Sequence, residues 1–130
     1  MKRTTLKSIF AAALFAAIFA SCSSVPKEIP EDLTAQELIQ KGQNEFENGR
    51  YKASLCYYQA VTERFADTPD VYLEASYEIG HLYMKQKKYK QAEAVFTEIL
   101  SIYENAQPGS LPGSYSKLSQ LEMDKIRKKK

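Results

Sequence analysis

The chain has 130 residues, with 18 Lys and Arg against 16 Asp and Glu, one histidine and two cysteines. This length accommodates one small domain. The near-balance of charge argues against the broad basic surface of a nucleic-acid-binding protein, and so few His and Cys cannot complete a usual zinc site. The five glycines form no phosphate-binding loop. We therefore expect no enzymatic activity, metal, cofactor, small-molecule substrate or nucleic acid.

The N-terminal residues 1–21 combine a basic head with the 13-residue apolar run "SIFAAALFAAIFA". A membrane-spanning helix needs about 20 apolar residues, so this run predicts a signal peptide instead. Ala20 and Ser21 stand before Cys22, which resembles the bacterial lipobox, although Phe19 replaces the usual Leu. We expect lipidation at Cys22; the alternative is an ordinary cleaved signal. Removal of residues 1–21 leaves 15 basic against 16 acidic residues, a net charge of −1.

Residues 22–33 contain two prolines and little apolar periodicity, which predicts a flexible lipidated tether. Thr34 and Glu37 then have the spacing of a helix capping box. With Cys22 lipidated, Cys56 has no disulfide partner, and we expect it to pack as a small apolar group.

From Thr34 onward the apolar residues recur at three- and four-residue spacings, which predicts an all-α fold. The predicted units are two helix pairs, at 34–69 and 70–105, and a hinge with a final helix and basic tail at 106–130. We expect Ser114 to Arg127 to cap the array through an apolar stripe of Leu118, Leu121 and Ile126. The alternative is an amphipathic helix whose basic end meets anionic headgroups.

The two helix pairs repeat each other at a fixed offset of 38 residues: Gly42 and Gly80, Tyr51 and Tyr89, Ser54 and Ala92, Tyr58 and Phe96, Val61 and Ile99. Such an offset indicates a helical repeat array. The pattern resembles the tetratricopeptide repeat, with Ser54 in place of the usual alanine and a period above the usual length of about 34. The resemblance implies a right-handed α-solenoid fragment with these packing residues: Gly42, Tyr51, Ser54, Tyr58, Gly80, Tyr83, Tyr89, Ala92 and Phe96.

The lipobox, the short tether and the stretch "ERFADTPDVYLEASYEIGHLY" together resemble the BamD-type lipoproteins of bacterial outer-membrane assembly. That family carries about five repeats, whereas this chain has two. The resemblance implies a lipid-anchored scaffold on the periplasmic face of the outer membrane, accessory to a complex that assembles β-barrel proteins. The alternatives are an envelope enzyme or peptidoglycan-associated accessory subunit, and a self-associating structural lipoprotein.

In a tetratricopeptide array the first helix of each pair lines a concave face. Helical spacing then predicts a partner-binding surface on which aromatic, thioether and polar groups suit an extended or helical peptide. Its expected members are Ile39, Gln43, Phe46, Glu47, Tyr77, His81, Met84 and Lys85. The alternative for the aromatic members is packing against the next helix, and we expect His81 to be a groove residue rather than a general base.

Overall fold

A computed structural model describes residues 25–130. The predicted signal peptide, Cys22 and the first residues of the tether lie outside this range. Within it the chain is entirely helical, with five helices and no strand, which confirms the all-α prediction. None of these helices is long and apolar enough to cross a membrane. The helices are α1 (Ala35–Glu47), α2 (Tyr51–Arg64), α3 (Pro69–Lys85), α4 (Tyr89–Asn105) and α5 (Gly113–Arg127).

The start of α1 is the predicted capping box. The Thr34 hydroxyl accepts a hydrogen bond from the Glu37 amide at 3.3 Å, and the Glu37 carboxylate accepts one from the Thr34 amide at 2.8 Å. Two amides that the first helical turn leaves unpaired are thereby satisfied. At α3 the cap differs, because Thr68 makes no side-chain capping bond and Pro69 supplies the first helical residue.

The turns inside the two helix pairs have the same backbone geometry. Gly49 and Lys87 occupy equivalent places and have φ angles of 72° and 58°. The residue that follows each of them, Arg50 or Lys88, has ψ of 63° and donates its amide to the carbonyl five positions earlier at 2.9 Å. Only one of the two turns uses glycine at the left-handed position, the conformation that glycine adopts most readily.

The helices stack in chain order, each packing against the next. In addition α1 touches α3 and α3 touches α5, whereas α2 and α4 make no such contact within residues 25–130. The odd-numbered helices therefore form one layer and share a surface, which we call the odd-helix face. The buried apolar residues between the layers are Leu38, Ile39, Ala60, Val61 and Ala75; Tyr58, Ile79 and Leu82; and Leu73, Ala92, Phe96, Ile99 and Ile126.

The predicted flexible tether is partly fixed in place. Ile29 and Leu33 pack against the first apolar cluster. The Arg64 guanidinium donates to the carbonyl oxygens of Ile29 and Pro30 at 2.8 and 2.7 Å. The structure therefore places this part of the predicted tether against the first helix pair, because its two apolar side chains cover the edge of that cluster.

The final helix turns a different side inward from the one predicted. Ile126 is buried at 1% exposure, as expected, but Leu118 and Leu121 are 37% and 48% exposed. The inward side also carries Tyr115 and Met123, which pack against the cluster around Phe96. The predicted three-residue stripe is thus corrected to Tyr115, Met123 and Ile126, since α4 covers the helix from a direction that periodicity alone does not fix.

Candidate binding face

Close helix approach occurs at the two repeat glycines. A Cβ placed on Gly42 would lie 2.5 Å from Tyr58 Cε1, and one placed on Gly80 would lie 2.6 Å from Phe96 Cε1. Real Cβ atoms do not approach carbon so closely, so each ring occupies the volume that a larger residue would need. The structure buries six of the predicted packing residues: Gly42, Ser54, Tyr58, Gly80, Ala92 and Phe96. It leaves Tyr51, Tyr83 and Tyr89 half-buried.

The substitution of Ser54 for alanine has a local explanation. Its hydroxyl donates to the Gly42 carbonyl oxygen at 2.7 Å in the buried seam between α1 and α2. A buried hydroxyl needs a partner of this kind. The second pair has Ala92 at the equivalent place, so the hydroxyl and its hydrogen bond are missing there.

The predicted peptide-binding residues do not all reach the surface. Ile39 is 1% exposed, because it packs in the cluster that contains Ala75 of α3. It is therefore unavailable to a partner, which corrects the prediction. Met84 is half-buried beside the Phe96 cluster. The remaining predicted members, all half-buried or exposed on the odd-helix face, are Gln43, Phe46, Glu47, Tyr77, His81 and Lys85.

Aromatic rings run across the odd-helix face from one helix to the next. Phe46 of α1 lies 5.7 Å from His81 of α3, measured between ring centroids. Tyr77, one turn before His81, is stacked on it at 6.3 Å and lies 5.9 Å from Tyr115 of α5. We call these four residues the ring row. Helix α5 thus contributes an aromatic residue, Tyr115, that the sequence prediction did not include.

The surroundings of His81 favour the neutral form of its imidazole. Burial lowers the pKa of the imidazole, and Lys85 and Lys125 lower it further, while the carboxylate of Glu122 acts in the opposite direction. Its Nδ1 is buried and has no hydrogen-bond partner within residues 25–130. The ring therefore acts mainly as an aromatic surface between Phe46 and Tyr77 at neutral pH.

Two carboxylates of the odd-helix face were missed by sequence reasoning. Glu74 and Glu78 lie one helical turn apart on α3, and both are half-buried. Burial raises the pKa of both, and the charge of Glu74 raises that of Glu78 further. Their spacing from His81 and Lys85 was the available signal, since residues three and four apart share a helix face.

The charges of these two carboxylates act on the hydroxyls of two tyrosines, Tyr58 of α2 and Tyr115 of α5. Burial, aided by Glu74 and Glu78, raises the pKa of Tyr115 to about 12. Burial and the charges of Glu78 and Glu74 also raise the pKa of Tyr58, whose hydroxyl has no hydrogen-bond partner within residues 25–130. The Ser54 hydroxyl, which donates to the Gly42 carbonyl oxygen, lies beside that phenol and partly offsets the rise in its pKa. The charges of Glu74 and Glu78 therefore act on one residue of α2 and on one residue of α5.

The other features of the described surface are an apolar cleft and a free cysteine. A cleft of about 730 Å³ lies between the start of α3 and the end of α4. Its lining is mainly apolar and includes Tyr72, whose hydroxyl donates to Glu98 at 2.9 Å. Cys56 is a half-buried free cysteine on α2. Among the described residues no group of three His, Cys, Asp or Glu is placed to hold a metal ion.

Comparison with known proteins adds one relative. The chain is 30% identical over 128 residues to an uncharacterized protein of Treponema pallidum (strain Nichols). The match covers 96% of this chain and 51% of the relative, so the chain spans about half the length of that protein. No protein-family model matches the chain, and no solved structure matches it.

Proposed function

We propose that this protein is a lipid-anchored scaffold of the bacterial envelope that binds another protein on its odd-helix face, as an accessory to β-barrel assembly in the outer membrane. The observation that carries the proposal is the repeated geometry of the two helix pairs. The glycine–ring contacts at Gly42 and Gly80 have the same form. A chain that builds the same helix pair twice has the construction of a repeat array, whose extended surfaces serve binding.

The proposed architecture is a tetratricopeptide-like solenoid with a cap. It is supported by contacts between successive odd helices in the absence of contacts between α2 and α4. Helices that touch lie closer together than helices that do not, so the array curves toward the odd-helix face and makes it concave. In this proposal α5 is the cap, because Ile126 closes the Phe96 cluster.

The envelope location rests on the sequence, since Cys22 precedes the described residues. Several acyl chains on this cysteine give a stable membrane anchor. Cys22→Ala in the full-length chain should abolish incorporation of labelled palmitate and move the protein from the membrane to the soluble fraction. A variant that stays in the membrane would refute anchoring by lipid.

The binding role is tested by photo-crosslinking in intact cells. A photoreactive phenylalanine at His81 samples the odd-helix face, and the same residue at the exposed Gln59 of α2 is the matched control. We expect crosslinks from position 81 alone, to a component of the β-barrel assembly complex identified by mass spectrometry. Crosslinks only to unrelated proteins would refute the assembly role and leave the scaffold role intact. Equal crosslinking from both positions, or none from 81, would refute the scaffold.

One observation favours self-association as a second candidate function. Leu118 and Leu121 are exposed on a side of α5 that no described helix covers. A second copy of the chain that packs on this side of α5 would remove both leucines from water. Sedimentation of the full-length protein in detergent should then show a dimer that Leu118→Ser/Leu121→Ser dissociates. A monomer at all concentrations would exclude this candidate.

A further inference from the structure

Glu74 and Glu78 differ from the other shielded acidic residues of the described chain. Six Asp and Glu side chains within residues 25–130 are buried or half-buried. Four of them have a Lys or Arg partner, in the pairs Glu45–Arg50, Glu93–Lys130, Glu122–Lys125 and Asp124–Arg127. Glu74 and Glu78 have neither an ion-pair nor a hydrogen-bond partner among the described residues. A shielded carboxylate without a counter-charge costs stability, so the absence of a cation here calls for an explanation.

The sequence around the two glutamates provides no counter-charge of its own. A lysine one turn after a glutamate would pair with it along the helix. The residue one turn after Glu74 is Glu78, and the one after Glu78 is Leu82, which is fully buried. Lys85 lies a further turn along, beside His81. The two carboxylates are therefore neighbours on one side of the helix, and their negative charges add at this place.

The surroundings of the two carboxylates suit a cation from outside. The ring row crosses α3 at Tyr77 and His81 and reaches Tyr115, a residue on which both carboxylates act. Aromatic faces attract Arg and Lys side chains, and Arg also stacks on them. An arginine has five N–H donors, enough to serve two carboxylates.

We propose that the odd-helix face binds a basic segment of a partner protein, with an Arg or Lys side chain paired to Glu74 and Glu78 beside the ring row. This inference rests on the proposed scaffold function and specifies the chemistry of its partner. The bound cation supplies the counter-charge that the described residues do not provide. The neighbouring apolar rings hold the stem of the same side chain, which is apolar along its length.

A synthetic peptide tests this chemistry directly. The probe is a fluorescent peptide amide of alternating Arg and Ser, and its control replaces every Arg by citrulline, which has nearly the same shape and no charge. Binding to the full-length protein in neutral detergent is followed by fluorescence anisotropy. We expect the Arg peptide to bind at least about tenfold more tightly than the citrulline peptide, with affinity falling as salt increases. Equal binding of the two peptides would overturn the proposal.

Matched variants locate the site. Glu74→Gln/Glu78→Gln should weaken Arg-peptide binding about tenfold. Glu63→Gln/Glu104→Gln makes the same change in net charge at exposed positions of α2 and α4, and should change binding by less than about twofold. Equal losses in the two variants would show attraction by net charge alone and would overturn the site. Circular dichroism melts of both variants check that the fold is retained.

Crosslinking in the Glu74→Gln/Glu78→Gln variant distinguishes loss of the cation site from loss of the scaffold function. Crosslinks from position 81 that persist in Glu74→Gln/Glu78→Gln cells would overturn the cation site and leave the scaffold standing. The opposite outcome is that the purified protein binds the Arg peptide through both glutamates while cells give no crosslinks from position 81. That outcome would refute the scaffold function, and the site's preference for cations would still hold.

Discussion

At the scale of single residues, glycine is required where a ring of the partner helix fills the place of a side chain. Alanine normally stabilises a helix interior relative to glycine by about 0.5–1 kcal/mol, because glycine loses more backbone entropy on folding. At Gly42 and Gly80 this gain is opposed by the overlap with Tyr58 or Phe96. The overlap involves a fully buried and rigid aromatic ring, so we expect it to outweigh the helix propensity.

Gly80→Ala should therefore lower the free energy of unfolding by about 1–3 kcal/mol, the usual range for overpacking a core. Gly113→Ala is the control, since a Cβ on Gly113 meets nothing within 4 Å. Urea unfolding followed by circular dichroism measures both. A Gly80→Ala protein as stable as the Gly113→Ala protein would mean that the α3–α4 seam is looser than the structure describes.

Glu78 makes the stability of the fold depend on pH, in the direction opposite to that of a carboxylate in a salt bridge. Burial and Glu74 raise its pKa above the ordinary 4.5, so between 4.5 and the raised value the folded state binds more protons than the unfolded state. Stability from this residue is therefore gained as the pH falls through that window and lost as it rises toward neutrality. The lowered pKa of His81 acts the other way, reducing stability below about pH 6.5.

Glu78→Gln should accordingly be more stable than the wild type at pH 7, and its stability should change less between pH 7 and pH 4.5. We expect a rise in Tm of a few degrees, about 2–4 °C at pH 7. Glu63→Gln, on the exposed surface of α2, is the control and should leave Tm unchanged. A fall in Tm for Glu78→Gln would show that the carboxylate has a stabilising partner.

At the scale of elements, each helix pair depends on a turn with one residue in the left-handed conformation. Both turns bond the same backbone groups, but Gly49 takes this conformation without strain and Lys87 does not. A side chain in the left-handed region costs about 1–2 kcal/mol. Replacing it with glycine recovers this cost and loses about 0.5–1 kcal/mol of backbone entropy.

The reciprocal exchange of these residues is a test of the turn. Lys87→Gly should raise the free energy of unfolding by up to about 1 kcal/mol, and Gly49→Lys should lower it by about the same amount. Both are measured by urea unfolding at a pH where lysine stays charged. If both substitutions destabilise, the two turns are not equivalent and the repeat is less regular than its backbone angles indicate.

At the scale of the whole molecule, α5 completes the apolar cluster of the second helix pair. Ile126 is 1% exposed in that cluster, and the Lys130 ammonium lies 2.8 Å from the Glu93 carboxylate of α4. Small helical arrays bury little surface, so the last helix contributes a substantial share of the total stability. The described chain should therefore unfold as one cooperative unit.

Ile126→Ala should lower the stability of the entire chain by about 2–4 kcal/mol, the range for a large core residue replaced by alanine. Leu121→Ala, at a 48% exposed position of the same helix, should cost less than about 1 kcal/mol. A single unfolding transition that shifts as a whole is the expected result. A second transition, with the main one unmoved, would show that α5 folds separately.

The sequence by itself determined the helices and their repetition, because these depend on local spacing. The capping box at Thr34 and the 38-residue offset between Gly42 and Gly80 are visible without any partner helix. Only the tertiary structure decided which helix sides are covered. Ile39 and Leu121 both stand on apolar sides of helices, yet α3 covers Ile39 while no described helix covers Leu121. Periodicity defines the sides of a helix, but burial depends on the direction from which its neighbours arrive, and this is fixed only when all the helices pack together.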